Sequence, residues 1–325
     1  MRYQFTFFAN KIFYSSNLGP LMTIQPLVEK YRPSTLDEVL GNELVISALK
    51  SLQEHDNLPH ILLYGPPGTG KTTSIRAIAK FLYKHTIMCN VLELNASDDR
   101  GINVVREQIK SFAMCRSFQN KKKLVILDEA DSMSRDAQNA LRRVIEDYSG
   151  NVRFCLIANY AHKIIPAIQS RCSKFRFSPV SSGLIKERVK SIAEMENIPI
   201  DDKCIDMLVQ ESEGDMRTLI NTLDGLSQFK GKITANMILP ELDFEKVFEL
   251  SRAKKYVEAK MMILEKLEEL DFMTFFRRLT GYIRESKKFV NYDIYEELAQ
   301  IEHRIAVGCS EKIQIACLVR VLGSY

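Results

Sequence analysis

The chain has 325 residues, of which 46% are hydrophobic and 26% are charged, so it is long enough for two or three domains with buried cores. Its net charge of +4 is only mildly basic, so any nucleic-acid binding has to come from a local basic patch. The seven cysteines show no C-x-x-C spacing, which indicates neither a zinc site nor a disulfide framework, and no apolar run approaches the length of a membrane span.

The first 21 residues are rich in aromatic side chains and contain two basic and no acidic residues. This composition weakly resembles a targeting peptide, but its apolar residues do not follow a clear amphipathic helix. We therefore expect residues 1–26 to be a disordered extension.

From residue 27 to about residue 178, apolar runs of strand length alternate with helical periods. This alternation is typical of a doubly wound parallel sheet in the α/β class. The predicted strands are Ile61 to Tyr64, Val91 to Leu94, Leu124 to Leu127, Phe154 to Ala158 and a short fifth, Lys174 to Phe177. A sheet of five parallel strands is the expected core of this domain.

A glycine-rich run follows the first predicted strand directly and precedes an apolar helical stretch. Its glycines permit positive φ and close backbone approach, so that amide groups and a helix N-terminus can surround a triphosphate. In this pattern Lys71 neutralises the β- and γ-phosphates and the Thr72 hydroxyl holds Mg²⁺. The predicted ATP-binding residues of this loop are Gly65, Pro66, Pro67, Gly68, Thr69, Gly70, Lys71, Thr72 and Thr73.

The third predicted strand is entirely apolar and ends in Asp128 and Glu129. Ligands in open α/β sheets bind beyond the carboxyl ends of the strands. We therefore predict that Asp128 reaches the magnesium ion and that Glu129 polarises the attacking water as a general base. Acidic residues after a strand are more often a turn or a helix cap, but the upstream phosphate loop favours the catalytic interpretation.

Three further polar residues stand at strand ends and turns. Asn159 follows the fourth strand and is placed to contact the γ-phosphate, and Arg217 begins a helix from which it can reach the phosphates. Arg171 lies on a loop from which an arginine finger can enter a neighbouring subunit's site. The alternatives are a turn residue for Asn159, a cap ion pair for Arg217 and a surface ion pair for Arg171.

After Pro179 the predicted strands stop and the pattern becomes helical. The predicted helices are Leu184 to Glu196, Lys203 to Ser212 and Asp215 to Phe229, and the last segment, Tyr292 to Leu322, is interrupted at Gly308. We predict a small helical lid domain over residues 179–238 and an all-α C-terminal domain over residues 239–325.

Taken together, these motifs resemble the AAA+ ATPases, and more narrowly the small subunits of the sliding-clamp loader, replication factor C. The resemblance extends from about residue 27 to the C-terminus. It includes the segments Val28 to Pro33, Leu62 to Thr72, Leu94 to Gly101, Leu127 to Asp131, Ala140 to Arg143 and Ile168 to Cys172.

The resemblance implies a role for each matching residue. Val28, Tyr31, Arg32 and Pro33 would line the adenine pocket, with Asn159 and Arg217 as the two sensors of nucleotide. Asn95 would restrain Glu129 until DNA is bound, and Arg171 would act in trans on the adjacent subunit's ATP. The family also implies a hetero-pentamer with other replication factor C subunits, a C-terminal collar for oligomerisation, the clamp PCNA and primer-template DNA as partners, and a nuclear location.

Two contact surfaces are predicted less directly. Arg100, Arg106 and Lys163 are expected to follow the DNA phosphates without sequence readout, against the alternative of solvated surface charge. Ile109, Ser111 and Phe112 are expected to meet the clamp, although a buried core position for Phe112 is an equal alternative.

Two other functions remain open at this stage. One is a different AAA+ DNA-processing motor, such as a helicase loader or a branch-migration ATPase. The other is a clamp-loader subunit that binds ATP without hydrolysing it, against which the presence of Glu129 argues.

Overall fold

The computed structural model describes residues 25–325 except 56–57, 98–101, 116–120, 230, 232, 235–237, 239–241, 269 and 287–291, and it describes only the backbone of residues 102–106. The predicted extension at residues 1–26 falls almost entirely outside this part of the chain. The chain forms two compact units. The first consists of the described residues up to Pro199 together with Leu208–Gly231, and the second consists of Ile200–Met207 and Lys232–Tyr325. The predicted division at residues 178 and 238 stays a prediction. Among the described helices none is long and apolar enough to cross a membrane.

The first unit is built on a five-stranded parallel sheet, which confirms the predicted fold class. The strands are β1 (Ile61–Tyr64), β2 (Val91–Asn95), β3 (Lys123–Asp128), β4 (Val152–Ala158) and β5 (Ser173–Arg176). Their order across the sheet is β2-β3-β4-β1-β5, so that β1 and β3 flank the central strand β4.

The three central strands are apolar on both sides because helices cover both faces of the sheet. Ile61, Leu63 and Ile126 point into one hydrophobic core, while Leu62, Val125 and Leu127 point into the other. This two-residue alternation explains why the sequence shows continuous apolar runs at these strands.

Ten helices are described along the first unit and its junction with the second. Their bounds are α1 (Leu27–Lys30), α2 (Glu43–Glu54), α3 (Lys71–Tyr83), α4 (Ile87–Asn90), α5 (Ile102–Met114), α6 (Arg135–Tyr148), α7 (Pro166–Gln169), α8 (Ser182–Met195), α9 (Asp202–Glu211) and α10 (Met216–Ser227). The helix α6 begins at a Ser134 cap, whose hydroxyl accepts a hydrogen bond from the Ala137 amide at 3.2 Å. Its buried residues, including Leu141 and Val144, recur at intervals of three and four residues and so share one face of the helix.

The described secondary structure of the second unit is helical, apart from an isolated parallel bridge between Ile200 and Ile233. Its helices are α11 (Phe244–Arg252), α12 (Tyr256–Lys266), α13 (Phe272–Glu285), α14 (Asp293–Ala306) and α15 (Glu311–Leu322). Phe275, Phe276 and Leu279 of α13 lie at the centre of its core. Gly308 adopts φ +94° between α14 and α15, which confirms the predicted interruption.

Candidate nucleotide-binding site

The strand register brings the ends of β1, β3 and β4 to one edge of the sheet. Tyr64 is aligned with Ala158, and the amide of Gly65 donates to the Ala158 carbonyl at 3.3 Å. Because β3 pairs with β4 and β4 pairs with β1, all in parallel, Asp128, Asn159 and the glycine-rich loop leave the sheet side by side, in that order. The three predicted parts of an ATPase site therefore begin at the same place.

Glycine is required twice in the loop between β1 and α3. At Gly65, with φ +146°, a Cβ atom would lie 2.1 Å from the Phe177 carbonyl oxygen. At Gly68, with φ +67°, it would lie 1.7 Å from Oδ1 of Asp215. Any side chain at either position would displace backbone or the residue that caps α10, so the loop keeps its open amide surface only with glycine.

Lys71, at the start of α3, is a buried cation. Its Nζ donates to the carbonyl oxygens of Gly65 and Pro66, both at 2.7 Å. Burial lowers the pKa of Lys71 to about 8, although Asp128 and Asp131 act in the opposite direction. Among the described residues no carboxylate lies in ion-pair contact with it. A buried ammonium group held only by carbonyl oxygens is electrostatically suited to a phosphate.

The two predicted magnesium ligands are in direct contact. The Thr72 hydroxyl donates to Oδ2 of Asp128 at 2.9 Å, and the other carboxylate oxygen accepts from the Glu129 amide at 2.9 Å. Hydroxyl and carboxylate oxygens side by side match the hard-oxygen preference of Mg²⁺. Glu129 itself adopts φ +54° and lines the same cavity as these two residues.

Asp131 fixes the backbone that leads out of β4. Its Oδ2 accepts hydrogen bonds from the amides of Asn159 at 3.2 Å and Tyr160 at 3.1 Å. These bonds leave the Asn159 side chain free to line the cavity, which it does. Asn95, at the end of β2, is paired in register with Asp128, and its side-chain oxygen accepts from the amide and hydroxyl of Ser97 at 3.0 and 2.9 Å.

The opposite wall of the cavity comes from α1, the segment after it, and two helices beyond the sheet. Val28, Tyr31, Arg32 and Pro33 line this wall together with Arg188 of α8 and Met216, Arg217 and Ile220 of α10. The Leu27 amide donates to Asp224 at 3.2 Å, and the Tyr31 hydroxyl donates to Glu196, at the end of α8. A cavity with apolar walls and cationic side chains is suited to a purine nucleotide, whose base is apolar on its faces and whose phosphates are anionic.

The structure therefore brings nearly all the predicted nucleotide-site residues together around one cavity. The predicted residues that line it are Val28, Tyr31, Arg32, Pro33, Pro67, Gly68, Thr69, Gly70, Lys71, Thr72, Thr73, Asp128, Glu129, Asn159 and Arg217. Gly65 and Pro66 are not lining residues, but their carbonyl oxygens hold Lys71. The lining residues that the sequence analysis missed are Glu38, Val39, Leu40, Ile157, Val180, Arg188, Met216 and Ile220.

Arg171 lies outside this cavity. Its guanidinium pairs with Glu146 and donates to the Ala167 carbonyl at 2.7 Å, and Glu146 also pairs with Arg142 at 3.0 Å. The surface ion pair considered as an alternative is thus present in the chain by itself.

The predicted DNA and clamp contacts are only partly described. Arg100 lies outside the described residues, and so does the side chain of Arg106, while the Nζ atom of Lys163 lies 4.8 Å from the centre of the exposed Tyr160 ring. On α5, Ser111 is exposed and Phe112 is half-buried beneath the Lys123 ammonium.

The assignment of Ile109 to the clamp surface needs correction. Its side chain is only 1% exposed and packs in the core under the sheet with Val125 and Leu127. A side chain committed to this core is unavailable to a partner. The exposed residues around it on this helix are Glu107, Gln108, Lys110 and Ser111.

A glycine-rich loop, a buried lysine, a Thr–Asp pair and a following glutamate, on a β2-β3-β4-β1-β5 parallel sheet, define a P-loop ATPase of the AAA class. The family model of the AAA ATPases, "ATPase family associated with various cellular activities", matches residues 61–180.

Related proteins narrow the class. The chain is 42% identical to replication factor C subunit 5 of Mus musculus over 90% of each chain, and 41% identical to replication factor C subunit 3 of Blastobotrys adeninivorans over 91% of this chain and 92% of that protein. It is 41% identical to replication factor C small subunit 1 of Pyrobaculum islandicum over 91% and 93%. The chain belongs to the replication factor C small-subunit family and is an ATPase. The subunit numbers of the first two relatives agree with the resemblance of three blocks to the subunit numbered three in yeast and five in vertebrates, namely Asp136 to Glu146, Lys163 to Ser170 and Val307 to Gln314.

Among solved structures, Thermotoga maritima RuvB, a Holliday junction branch migration motor, aligns with a TM-score of 0.51 at 21% identity, over 70% of this chain and 79% of RuvB. At this identity the likeness shows the shared fold alone. It gives no support to the branch-migration alternative.

Proposed function

We propose that this chain is a catalytic subunit of a clamp loader: it binds ATP with Mg²⁺, hydrolyses it, and with other replication factor C subunits in a hetero-pentamer opens the sliding clamp PCNA and loads it onto primer-template DNA in the nucleus. The observation that supports this most is the single cavity that contains Lys71, the Thr72–Asp128 pair and Glu129 on one side and Arg217 on the other. Arg217 belongs to α10, outside the sheet, so loss of the γ-phosphate would remove a contact between the nucleotide and that helix.

The residues of this chain divide the chemical work between them. Lys71 exchanges its two carbonyl partners for the β- and γ-phosphates, where its charge offsets the charge that develops in the transition state. Thr72 and Asp128 hold Mg²⁺, which when bound neutralises the phosphate oxygens. Glu129 orients the attacking water, and Asn159 donates its side-chain amide toward the γ-phosphate.

Other residues of the proposal act between chains. Arg171 leaves its Glu146 partner and enters the adjacent subunit's ATP site, where it stabilises transition-state charge. Arg100, Arg106 and Lys163 contact the DNA backbone, and Ser111 and Phe112 contact the clamp. Asn95 restrains Glu129 until DNA binds, which requires its side chain to exchange Ser97 for Glu129.

The test is the ATPase rate of the chain co-expressed with its partner subunits, with and without primer-template DNA and clamp. Stimulation by DNA and clamp together is expected, and Glu129→Gln should remove this subunit's share of it while sparing ATP binding. Glu54→Gln, an exposed carboxylate at the end of α2, is the matched control and should change nothing.

Two results would contradict the proposal in different ways. Stimulated turnover that is insensitive to Glu129→Gln would mean that the chain holds nucleotide only as a structural element. Turnover that does not respond to a clamp would indicate another AAA+ motor.

A further inference from the structure

One wall of the nucleotide cavity contains an arginine that no sequence motif singled out. Arg188 lies in the middle of α8, is partly buried, and lines the cavity alongside Tyr31. Lys30, the neighbour of Tyr31, forms an ion pair with Glu196. The Arg188 guanidinium, in contrast, makes no hydrogen bond or ion pair with the residues that the structure describes. An unpaired guanidinium at a cavity for an aromatic anion is available to the ligand.

The charges around the cavity show which end Arg188 occupies. The charged groups that act most strongly on Lys71, at the phosphate end, are Asp128, Asp131, Arg217 and Asp215. At Tyr31, burial raises the pKa and the Glu196 hydrogen bond adds to that effect, while the charges of Lys30 and Arg188 oppose it. Arg217 therefore lies close enough to act on both Lys71 and Arg32, whereas Arg188 lies close to Tyr31.

The position of Arg188 is fixed by the contacts of its helix. Glu196, which ends α8, accepts hydrogen bonds from the Tyr31 hydroxyl and from the Lys30 ammonium, the latter at 2.6 Å. Ile185 and Val189, next to Arg188 on the helix surface, are buried. Arg188 lies eight residues before Glu196, which is about 12 Å along the helix axis. The contacts of Glu196 with Lys30 and Tyr31 therefore fix the position of the helix that carries Arg188.

We propose that Arg188 is a nucleotide-binding residue that contacts the nucleoside part of ATP, its base and ribose, through its planar guanidinium, and not the phosphates. The guanidinium offers a flat face for a purine and a fork of donors for ribose hydroxyls. This inference rests on the proposed function, because it assumes that the cavity takes ATP. It adds a specificity-determining contact from the helical wall, opposite the phosphate loop.

The test uses the full-length chain and isothermal titration calorimetry with two unlabelled ligands, ADP and the non-hydrolysable β,γ-imido analogue of ATP, both with Mg²⁺. Arg188→Ala is expected to weaken both ligands by the same factor, about tenfold, because the nucleoside is common to both. Arg217→Ala is expected to weaken the triphosphate more than ADP. Lys190→Ala removes a cation from the same helix at a position that does not line the cavity and serves as the matched control.

The outcomes separate this inference from the function on which it rests. Equal loss for both ligands, with an unchanged melting temperature without nucleotide and no recovery in Arg188→Lys, supports the proposed contact. Three other outcomes would each overturn the inference. Affinity lost only for the triphosphate would place Arg188 at the γ-phosphate, and unchanged affinity would show that Arg188 does not contact the ligand. Full recovery of affinity in Arg188→Lys would show that the planar guanidinium is not required. Failure of the wild-type chain to bind either ligand would refute the proposed function instead.

Discussion

Because Lys71 is buried, its charge should destabilise the protein without nucleotide, and the free energy of unfolding should increase when Lys71 loses its proton at alkaline pH. A lysine whose pKa falls from 10.5 in the unfolded chain to about 8 in the folded one resists being charged in the native state. The unfolded chain then binds more protons than the native chain between pH 8 and 10.5, so the free energy of unfolding rises with pH across this window. The full effect of 2.5 pKa units is about 3 kcal/mol.

The Lys71→Met variant isolates this contribution. The methionine retains the aliphatic stem and removes the charge, so the variant should gain stability relative to wild type at pH 7.5, offset by the loss of two hydrogen bonds to Gly65 and Pro66. That offset does not depend on pH. The difference in unfolding free energy between variant and wild type should therefore shrink by about 2 kcal/mol from pH 7.5 to pH 9.5.

Urea unfolding followed by far-ultraviolet circular dichroism at several pH values measures this difference. The chain contains no tryptophan, so helix content is a better signal than intrinsic fluorescence. Other groups that titrate in this range do so in both proteins and cancel in the comparison. A difference that stays constant from pH 7.5 to 9.5 would show that Lys71 is not desolvated in the native protein and would refute the reasoning.

Three further predictions concern two supports of the site and a histidine that directly precedes β1. Gly65→Ala should lower both stability and ATP affinity, because its Cβ would overlap the Phe177 carbonyl, while Gly183→Ala, with open space around it in α8, should keep both; equal behaviour in thermal melts and titrations would argue against the close approach. Asp215→Ala removes the cap that accepts from the Arg217 and Thr218 amides and should cost about 1 kcal/mol of unfolding free energy. Asp271→Ala removes a similar cap in the other unit, so calorimetry should find weaker ATP binding only for Asp215→Ala. Burial, Arg153 and Lys122 lower the pKa of His60 to about 4, so stability should fall as pH drops from 6.5 to 4, by at most about 3 kcal/mol, and His60→Asn should flatten this loss in acid titrations.

The sequence predicted the sheet well because its signals are local. Each central strand is buried on both faces, and so it appears as an apolar run bounded by polar residues, as β3 does between Lys123 and Asp128. The phosphate loop was equally visible, since its glycines are required by contacts that no other residue tolerates. Local patterns of this kind do not depend on how distant segments pack.

The parts that the sequence did not predict depend on helix rotation and on contacts between distant segments. Ile109 of α5 was expected to face a partner, but its burial against Val125 shows that it faces the core. Arg188 lies in a helix of ordinary charged composition, and only the docking of α8 against Tyr31 through Glu196 brings it to the cavity. Neither fact has a local signature, because both require the tertiary arrangement.

The acidic run after β3 shows how one short segment can serve several parts of the site. Asp128 contacts Thr72, Glu129 lines the cavity in a left-handed conformation, and Asp131 holds the backbone amides of Asn159 and Tyr160. The ammonium group of Lys163 lies over the Tyr160 ring. A movement of the acidic run on nucleotide exchange would therefore be transmitted to Lys163, a predicted DNA contact, through the Asp131 hydrogen bonds and the Tyr160 ring. The spacing of these carboxylates therefore links the catalytic edge of the sheet to its outer loop, so that replacement of Asp131 should disturb Asn159 and Lys163 together even though it touches no phosphate.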